Sequence, residues 1–341
     1  MKSDMEQKYT STGIKFWRHR LAMTSYKKNM GHSVISTHIS PEGTCNLHCS
    51  YCSVKKRNQE LRISPSTIHR YVLKLQSRGL KAVILTGGGE PLLYPYITPL
   101  VHWLGMERKL KLALITNGTV SDKLNDEVWK HFSWIRVSIN RELMSKISIP
   151  TKHLNRNCIV GGSKVVTFKD TLDDMHQAVE VADRIGARYV RVLPDCTQKD
   201  EDVNQAHLRI DELLAELDDP RFFRQHKRKA SPKCKKCHQA YFRPYLSEEV
   251  FKGTQESGSV YPCDSVVLNS QATRFEQKYQ LCRAADVLEF MEGRIGQSFD
   301  ASKDCPGCVF TENVNMLDDW KNTGIDRFKE FPEQLVHEAF I

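Results

Sequence analysis

The sequence predicts an α/β fold built on a parallel β-sheet. Between residues 34 and 193, short apolar segments of strand type alternate with longer segments whose apolar residues recur at helical spacing. Six such strand–helix repeats imply parallel strands joined by right-handed crossovers. The 341 residues, 40% of them hydrophobic, suffice for one large core and a smaller second unit.

The predicted elements follow in order from local patterns. The first strand alternates apolar and polar residues, and the later strands are short apolar runs. Ser64-Pro65 is a helix start signal, and Gly186 is a stop signal after the helix that ends at residue 185. The predicted strands are residues 34–40, 82–85, 110–115, 134–139, 164–168 and 189–193. The predicted helices are residues 64–78, 97–106, 122–132, 141–146, 172–185 and 208–217.

Three closely spaced cysteines follow the first predicted strand. Within the segment Gly43-Thr-Cys-Asn-Leu-His-Cys-Ser-Tyr-Cys52, the cysteines are Cys45, Cys49 and Cys52. Thiolates suit zinc, Cu(I) and iron–sulfur clusters, and a [4Fe–4S] cluster normally takes four of them. Three cysteines would leave one iron open to a substrate or cosubstrate. A zinc knuckle is the alternative.

This segment, including the aromatic Tyr51, resembles the CxxxCxxC signature of the radical S-adenosylmethionine (SAM) superfamily. Thr86-Gly-Gly-Gly-Glu-Pro91 resembles the GGEP motif of the same superfamily. The resemblance implies a partial (β/α)6 barrel of TIM type, in which a three-cysteine [4Fe–4S] cluster binds SAM. An external electron donor of flavodoxin or ferredoxin type would drive cleavage of SAM to a 5′-deoxyadenosyl radical. The residues expected to bind the SAM amino group are Gly88, Gly89 and Glu90.

Polar residues at the ends of later strands extend the predicted SAM site. Ligands of such folds gather where parallel strands end, and related enzymes contact the SAM ribose and carboxylate from these positions. An arginine there would neutralise the carboxylate. The alternative for each is a strand-end residue that is hydrogen-bonded within the protein. The residues are Thr116, Asn117, Ser138, Asn140 and Arg191.

A second cysteine group combines two CxxC pairs with two single cysteines. Gly258-Ser-Val-Tyr-Pro-Cys263 resembles the hairpin of SPASM and twitch extensions, which hold auxiliary [4Fe–4S] clusters. A full SPASM has two more cysteines after the last pair, and none follows here, so we expect one auxiliary cluster. A zinc ribbon is the alternative. The six candidate ligands are Cys234, Cys237, Cys263, Cys282, Cys305 and Cys308.

Composition suggests four units and an anionic partner. The chain carries a formal charge of +9, and from Arg221 to Ser247 it has nine Lys or Arg and no Asp or Glu, interleaved with aromatics. This mixture is typical of nucleic-acid contact, whereas a solvated loop that balances thiolate charge is the alternative. The predicted units are a basic arm (1–32), a radical SAM core (33–220), an auxiliary cluster module (221–315) and a helical tail (316–341).

The sequence therefore predicts a radical SAM enzyme that modifies or rearranges a nucleotide or nucleic-acid base. The compact chain resembles radical SAM enzymes of bacteriophages, some of which isomerise amino-acid-modified thymidine in phage DNA. Peptide or protein modification and a zinc-binding nucleic-acid adaptor are the alternatives. Without a long apolar run or a signal peptide, we expect no membrane partner and a cytoplasmic location, in the host if the protein is phage-encoded.

Overall fold

The computed structural model describes residues 4–10, 13–139, 141–167, 169–329 and 335–341, and omits the side chains of 141–143. Ten strands form one sheet in the order β10-β9-β8-β1-β2-β3-β4-β5-β6-β7. They are β1 (Ser36–Ile39), β2 (Ala82–Leu85), β3 (Lys111–Thr116), β4 (Phe132–Ser138), β5 (Ile159–Val166), β6 (Tyr189–Pro194), β7 (Phe222–Arg224), β8 (Tyr245–Val250), β9 (Ser257–Tyr261) and β10 (Cys282–Arg283). Strands β1 to β7 pair in parallel in chain order, which confirms the predicted α/β class.

Helices cover the connections, and local capping explains two of their ends. Ser64 accepts a hydrogen bond from the Thr67 amide at the start of one helix, and Thr171 with Asp174 forms a capping box at another. The helices are α1 (Asp4–Tyr9), α2 (Ile14–Trp17), α3 (Arg20–Lys27), α4 (Pro65–Gln76), α5 (Ile97–His102), α6 (Leu172–Arg184), α7 (Asp200–Leu217), α8 (Val287–Met291), α9 (Ala301–Asp304) and α10 (Thr311–Thr323).

Several predicted elements differ from the structure. The helix predicted over residues 141–146 is a 3₁₀ helix, and the fifth strand, predicted over residues 164–168, begins earlier, as β5 (Ile159–Val166). The helix predicted over residues 122–132 is instead two 3₁₀ turns, Ser121–Lys123 and Asp126–His131, because Leu124 and Asn125 between them have extended ψ angles. The helix predicted over residues 208–217 begins earlier, at Asp200. Phe168, the end of the predicted fifth strand, lies outside the described residues.

The N-terminal segment packs against the C-terminal part of the chain. The ring of Phe16 lies 5.4 Å from that of Phe242, and the ring of Trp17 lies 5.6 Å from that of Trp320. Both N-terminal aromatic side chains are buried. The aromatic residues of the predicted arm therefore belong to the core and are not available as a stacking surface.

The C-terminal cysteine-rich region joins the same sheet as the core. Strand β8 pairs in parallel with β1, and β9 and β10 follow it antiparallel. This arrangement brings the region next to the loop that follows β1, where the first three cysteines lie. Within the described ranges, no helix is both long and apolar enough to cross a membrane.

Candidate functional site

An arginine side chain forms hydrogen bonds with the cysteine loop that follows β1. Arg57 donates from Nε to the Gly43 carbonyl at 2.7 Å and from a terminal nitrogen to the Cys52 sulfur at 3.6 Å. Burial raises the pKa of the Cys49 thiol, and the nearby thiols of Cys52 and Cys45 raise it further. Three half-buried thiols close enough to influence one another fit the ligand set of a [4Fe–4S] cluster with one open iron.

The glycine-rich loop after β2 packs directly on the cysteine loop. The Gly89 amide donates to the Glu42 carbonyl at 2.9 Å, and the Glu90 amide donates to the Thr44 carbonyl at 2.8 Å. A Cβ atom on Gly89 would lie 2.0 Å from the Thr44 carbonyl oxygen, so the approach requires glycine. The two motifs that the sequence singled out therefore lie side by side.

Glu90 is buried and bound within the protein. Its carboxylate accepts hydrogen bonds from the Thr116 hydroxyl at 2.6 Å, the Asn117 amide at 2.8 Å and the Leu92 amide at 3.1 Å. Burial raises its pKa to about 7 despite these three bonds. In this structure the Glu90 side chain joins the ends of β2 and β3, and its predicted contact with SAM stays a prediction.

The other predicted SAM contacts lie in different places. Thr116 and Asn117 both hydrogen-bond to Glu90. The side-chain amide of Asn117 also donates to the side-chain oxygen of Asn46 in the cysteine loop at 2.9 Å. Ser138 ends β4 and pairs in register with Ser163 on β5. Asn140 lies outside the described residues. The two that line a cavity are Tyr51 and Arg191.

A central cavity of about 280 Å³ opens beside both loops. Tyr51, Thr86 and Gly87 form the wall nearest the predicted SAM site. Other parts of the lining are rich in positive charge, and two carboxylates, those of Asp195 and Asp264, lie among them. The four cationic side chains that line the cavity are Arg136, Arg191, Lys227 and Arg243.

These cations are only partly neutralised. Arg243 pairs with Asp264 at 3.0 Å, whereas Arg191 donates to the neutral side chains of Ser163 at 3.0 Å and Gln225 at 3.1 Å. Lys227 Nζ lies 5.0 Å from the Phe310 ring centroid, and no described residue accepts a hydrogen bond from it. Burial lowers the pKa of Lys227 to about 8 and that of Arg191 to about 9. An anionic group entering the cavity would relieve this uncompensated charge.

The basic stretch from Arg221 to Ser247 is not a bare cationic surface. Several of its cationic side chains form ion pairs with acidic residues outside the stretch: Arg221 pairs with Asp183 and Asp219, Arg224 with Asp211, and Lys229 with Asp200. Because Lys227 faces the interior, the three consecutive cations at 227–229 do not share one face. Part of the positive charge of this stretch is therefore balanced by acidic residues that lie outside it in the sequence.

Several cavity residues were missed by the sequence analysis. His38 and Arg136 sit on predicted strands, and a charged residue within the apolar run of β4 was the one available signal for Arg136. Arg243 and Asp264 come from the cysteine-rich region. Cys196 also lines the cavity and is half-buried.

Four of the six C-terminal cysteines converge on a second, smaller cavity. Its other walls include apolar or aromatic side chains such as Val266, Val314 and Phe310. Burial raises the pKa of each of the four thiols, and for three of them the neighbouring thiols add to the effect. Four thiols in an apolar enclosure fit a closed metal or cluster site. The four residues are Cys237, Cys263, Cys305 and Cys308.

The remaining two predicted ligands lie elsewhere. Cys234 does not line the four-cysteine cavity and instead lies close to His238 and Asp318. Cys282 is buried on β10, where burial and the carboxylates of Asp286 and Glu289 raise its pKa. The spacing of the cysteines predicted a metal site but could not select four thiols from six.

Comparisons with known proteins agree with this arrangement. Residues 39–188 match the family model described as the radical SAM superfamily, whose members use a [4Fe–4S] cluster and SAM. A 7-carboxy-7-deazaguanine synthase of Clostridium acetobutylicum is 37% identical over 78 residues, covering 23% of this chain and 35% of the relative. A GTP 3′,8-cyclase of Synechocystis sp. is 29% identical over 136 residues, covering 38% and 39%. The chain thus spans only a minor part of the length of these curated relatives.

The fold also resembles a solved structure. Streptococcus suis SuiB bound to precursor peptide SuiA has a TM-score of 0.51 and 15% sequence identity, covering 74% of this chain and 64% of that chain. At this identity the likeness concerns the fold alone, and it supports the predicted partial barrel. Both the cysteine loop and the glycine-rich loop lie within residues 39–188, the segment that matches the radical SAM superfamily model.

Proposed function

We propose that this protein is a radical SAM enzyme whose substrate is a small anionic molecule, most simply a nucleotide. The observation that carries the proposal is the central cavity. It runs from Tyr51 and Gly87, beside the two SAM-type loops, to a wall of four cationic side chains. Two curated relatives are named for GTP and for a deazaguanine product.

The roles of the chain's own residues follow from the site. Cys45, Cys49 and Cys52 would hold the SAM-cleaving cluster, and the glycine-rich loop would bind the amino group of SAM. When bound, cluster and SAM supply one-electron cleavage of SAM to methionine and a 5′-deoxyadenosyl radical, with the electron coming from a flavodoxin- or ferredoxin-type donor. The protein orients the substrate and excludes water from the cavity.

A second cluster is part of the proposal. Cys237, Cys263, Cys305 and Cys308 would hold one auxiliary [4Fe–4S] cluster, as in SPASM or twitch modules. Phe310 lines both the four-cysteine cavity and the central cavity, so the auxiliary site lies next to the substrate. We place the protein in the cytoplasm, where reducing conditions keep cysteine thiols free to bind metal.

The test of the substrate class is a binding comparison. Equilibrium dialysis of the reconstituted protein with SAM would be run against GTP, dTMP, the matching nucleosides, a thymidine-containing oligonucleotide and unrelated peptides. We expect nucleotides to bind at least about tenfold more tightly than their nucleosides, because each phosphate contact with a buried cation contributes on the order of 1.5–3 kcal/mol.

Lys227→Met is the diagnostic variant because methionine keeps the apolar stem and removes the charge. It should weaken nucleotide binding by about tenfold to a hundredfold and leave nucleoside binding unchanged. Arg228→Met is the matched control, since Arg228 is exposed and does not line the cavity. Equal binding of nucleotides and nucleosides would contradict the proposal.

The same panel addresses the finer alternatives. Binding of the oligonucleotide but not of mononucleotides would favour a base within DNA, such as an amino-acid-modified thymidine that the enzyme isomerises. Binding of peptides alone would move the assignment to peptide or protein modification. The pairing of Arg221, Arg224 and Lys229 with acids favours the small nucleotide over a polynucleotide.

A further inference from the structure

Three side chains of metal-binding type meet outside the four-cysteine cavity. They are Cys234, His238 and Asp318, and one possible ligand atom from each lies within 4.8 Å of the others. Cys234 is the first cysteine of the Cys234–Cys237 pair, His238 directly follows the pair, and Asp318 comes from α10. His238 is buried, and the other two are half-buried, so the group lies just below the surface.

Each ring nitrogen of His238 has a hydrogen-bond partner, an arrangement that is typical of metal-binding histidines. Its Nε2 lies 2.8 Å from Asp318 Oδ1, within the group, and its Nδ1 lies 2.6 Å from the Tyr26 hydroxyl. A metal-binding histidine normally uses one ring nitrogen for the ion and hydrogen-bonds the other to a fixed partner, which orients the ring. Tyr26, a buried residue of α3, is positioned to be that partner.

The Cys234–Cys237 pair is divided between two sites. Cys237 is buried and lines the four-cysteine cavity, whereas Cys234 does not line it and lies with His238 and Asp318. The four-cysteine cavity already supplies the four thiols that a [4Fe–4S] cluster takes. Cys234 is therefore available to a different ion.

We propose that Cys234, His238 and Asp318 bind one Zn²⁺ ion, separate from both iron–sulfur sites. Sulfur, imidazole nitrogen and carboxylate oxygen are the three ligand types that zinc takes in proteins, and water would complete the tetrahedron. On binding, the Cys234 thiol loses its proton to solvent, and the thiolate and carboxylate together balance the charge of the ion. His238 binds through Nε2 and carries its proton on Nδ1, where it donates to the Tyr26 oxygen.

Such an ion would join distant parts of the chain. The ligands lie at residues 234–238 and 318. Tyr26, which hydrogen-bonds to His238, connects the N-terminal segment to the same site. A zinc ion here would fasten α3 and α10 to the cysteine-rich region. Its role would be structural, because binding free energy at such a site is added to folding free energy. The inference does not depend on the substrate or on SAM cleavage.

The experiment is metal analysis of the full-length protein. Protein expressed with iron and zinc supplements and purified anaerobically without chelators should contain about one zinc per chain. Cys234→Ala and Asp318→Asn should each lower bound zinc at least about tenfold after gel filtration, while iron stays at the wild-type ratio. Asp318→Asn keeps the size of a half-exposed side chain, so it provides the second test if Cys234→Ala folds poorly. Cys282→Ala, a buried cysteine of β10, is the control that should keep both metals.

Cobalt substitution gives an independent signature. Co²⁺ bound at this site should show thiolate-to-cobalt charge transfer and tetrahedral d–d absorption, and Cys234→Ala should remove the charge-transfer band. Wild-type protein with no zinc would overturn the inference. So would loss of iron in Cys234→Ala, because Cys234 would then be a cluster ligand.

Discussion

The two cysteine sites differ in the number of thiols and in their exposure. The cysteine loop after β1 offers three half-buried thiols next to a cavity that Tyr51 and Ser53 line. The C-terminal cavity offers four thiols, of which Cys237 and Cys305 are buried, within apolar walls. This difference indicates that the first site is the one expected to perform chemistry. A cluster needs an open iron to bind a cosubstrate, and four cysteine ligands leave no iron open.

The largest effect that would test this comparison is loss of SAM cleavage. Cys45→Ala, Cys49→Ala and Cys52→Ala should each reduce 5′-deoxyadenosine formation to background, because two thiols cannot hold the open cluster. The measurement is liquid chromatography with mass spectrometry after anaerobic reconstitution and dithionite reduction.

Cys158→Ala is the matched control, because Cys158 is a half-buried thiol that lines neither the central nor the four-cysteine cavity. It should leave the product yield unchanged. If wild-type protein fully loaded with iron makes no 5′-deoxyadenosine, the proposed radical SAM activity is wrong.

Iron content tests whether the two sites are independent. Wild-type protein should carry about eight irons, and the triple Cys45/Cys49/Cys52 alanine variant should keep about four. Cys237→Ala should lower iron towards about four and leave the cluster after β1 in place. Because Cys282 does not line the four-cysteine cavity, Cys282→Ala should keep about eight.

Iron and sulfide assays with Mössbauer spectra would measure these ratios. Complete loss of iron in the triple variant would show that the C-terminal thiols hold no cluster of their own. Loss of about four irons in Cys282→Ala would instead place Cys282 among the ligands.

The same comparison shows what sequence can predict. Local signals located β2 at residues 82–85 without error, and the Ser64 cap located the start of α4, because both depend on neighbouring residues. The cysteine loop and the glycine-rich loop were recognisable because the residues of each motif are contiguous. These signals therefore led to the first site with little ambiguity.

The second site and the cavity depend on contacts between distant residues. Cys237 and Cys305 line one cavity although they lie far apart in the sequence. Arg243 enters the cavity from the cysteine-rich region, and His238 meets Asp318 across 80 residues of sequence. Periodicity and spacing along the chain do not predict contacts between distant residues. The sequence therefore indicated six candidate thiols but could not show which four lie together.

The smallest expected effect concerns Glu248, a residue of β8 that links the two regions. Its carboxylate is fully buried against Gly88 of the glycine-rich loop, and Oε1 has no hydrogen-bond partner among the described residues. Burial raises its pKa to about 7, above the unfolded value of about 4.5. A carboxyl group with a raised pKa contributes stability below the unfolded pKa and loses that contribution as pH rises through the folded value.

Glu248→Gln removes this ionisation and keeps the shape of the side chain. We expect the variant to have a higher free energy of unfolding than wild type at pH 8, by about 3 kcal/mol at most, and the advantage to shrink to less than about 1 kcal/mol near pH 5. Anaerobic urea unfolding followed by tryptophan fluorescence at both pH values would measure the difference. Glu127→Gln, a change at an exposed position, should show no such dependence. A variant less stable than wild type at pH 8 would mean that the ionised carboxylate is itself stabilising, and that a cation within the protein pairs with Glu248 where the two regions meet.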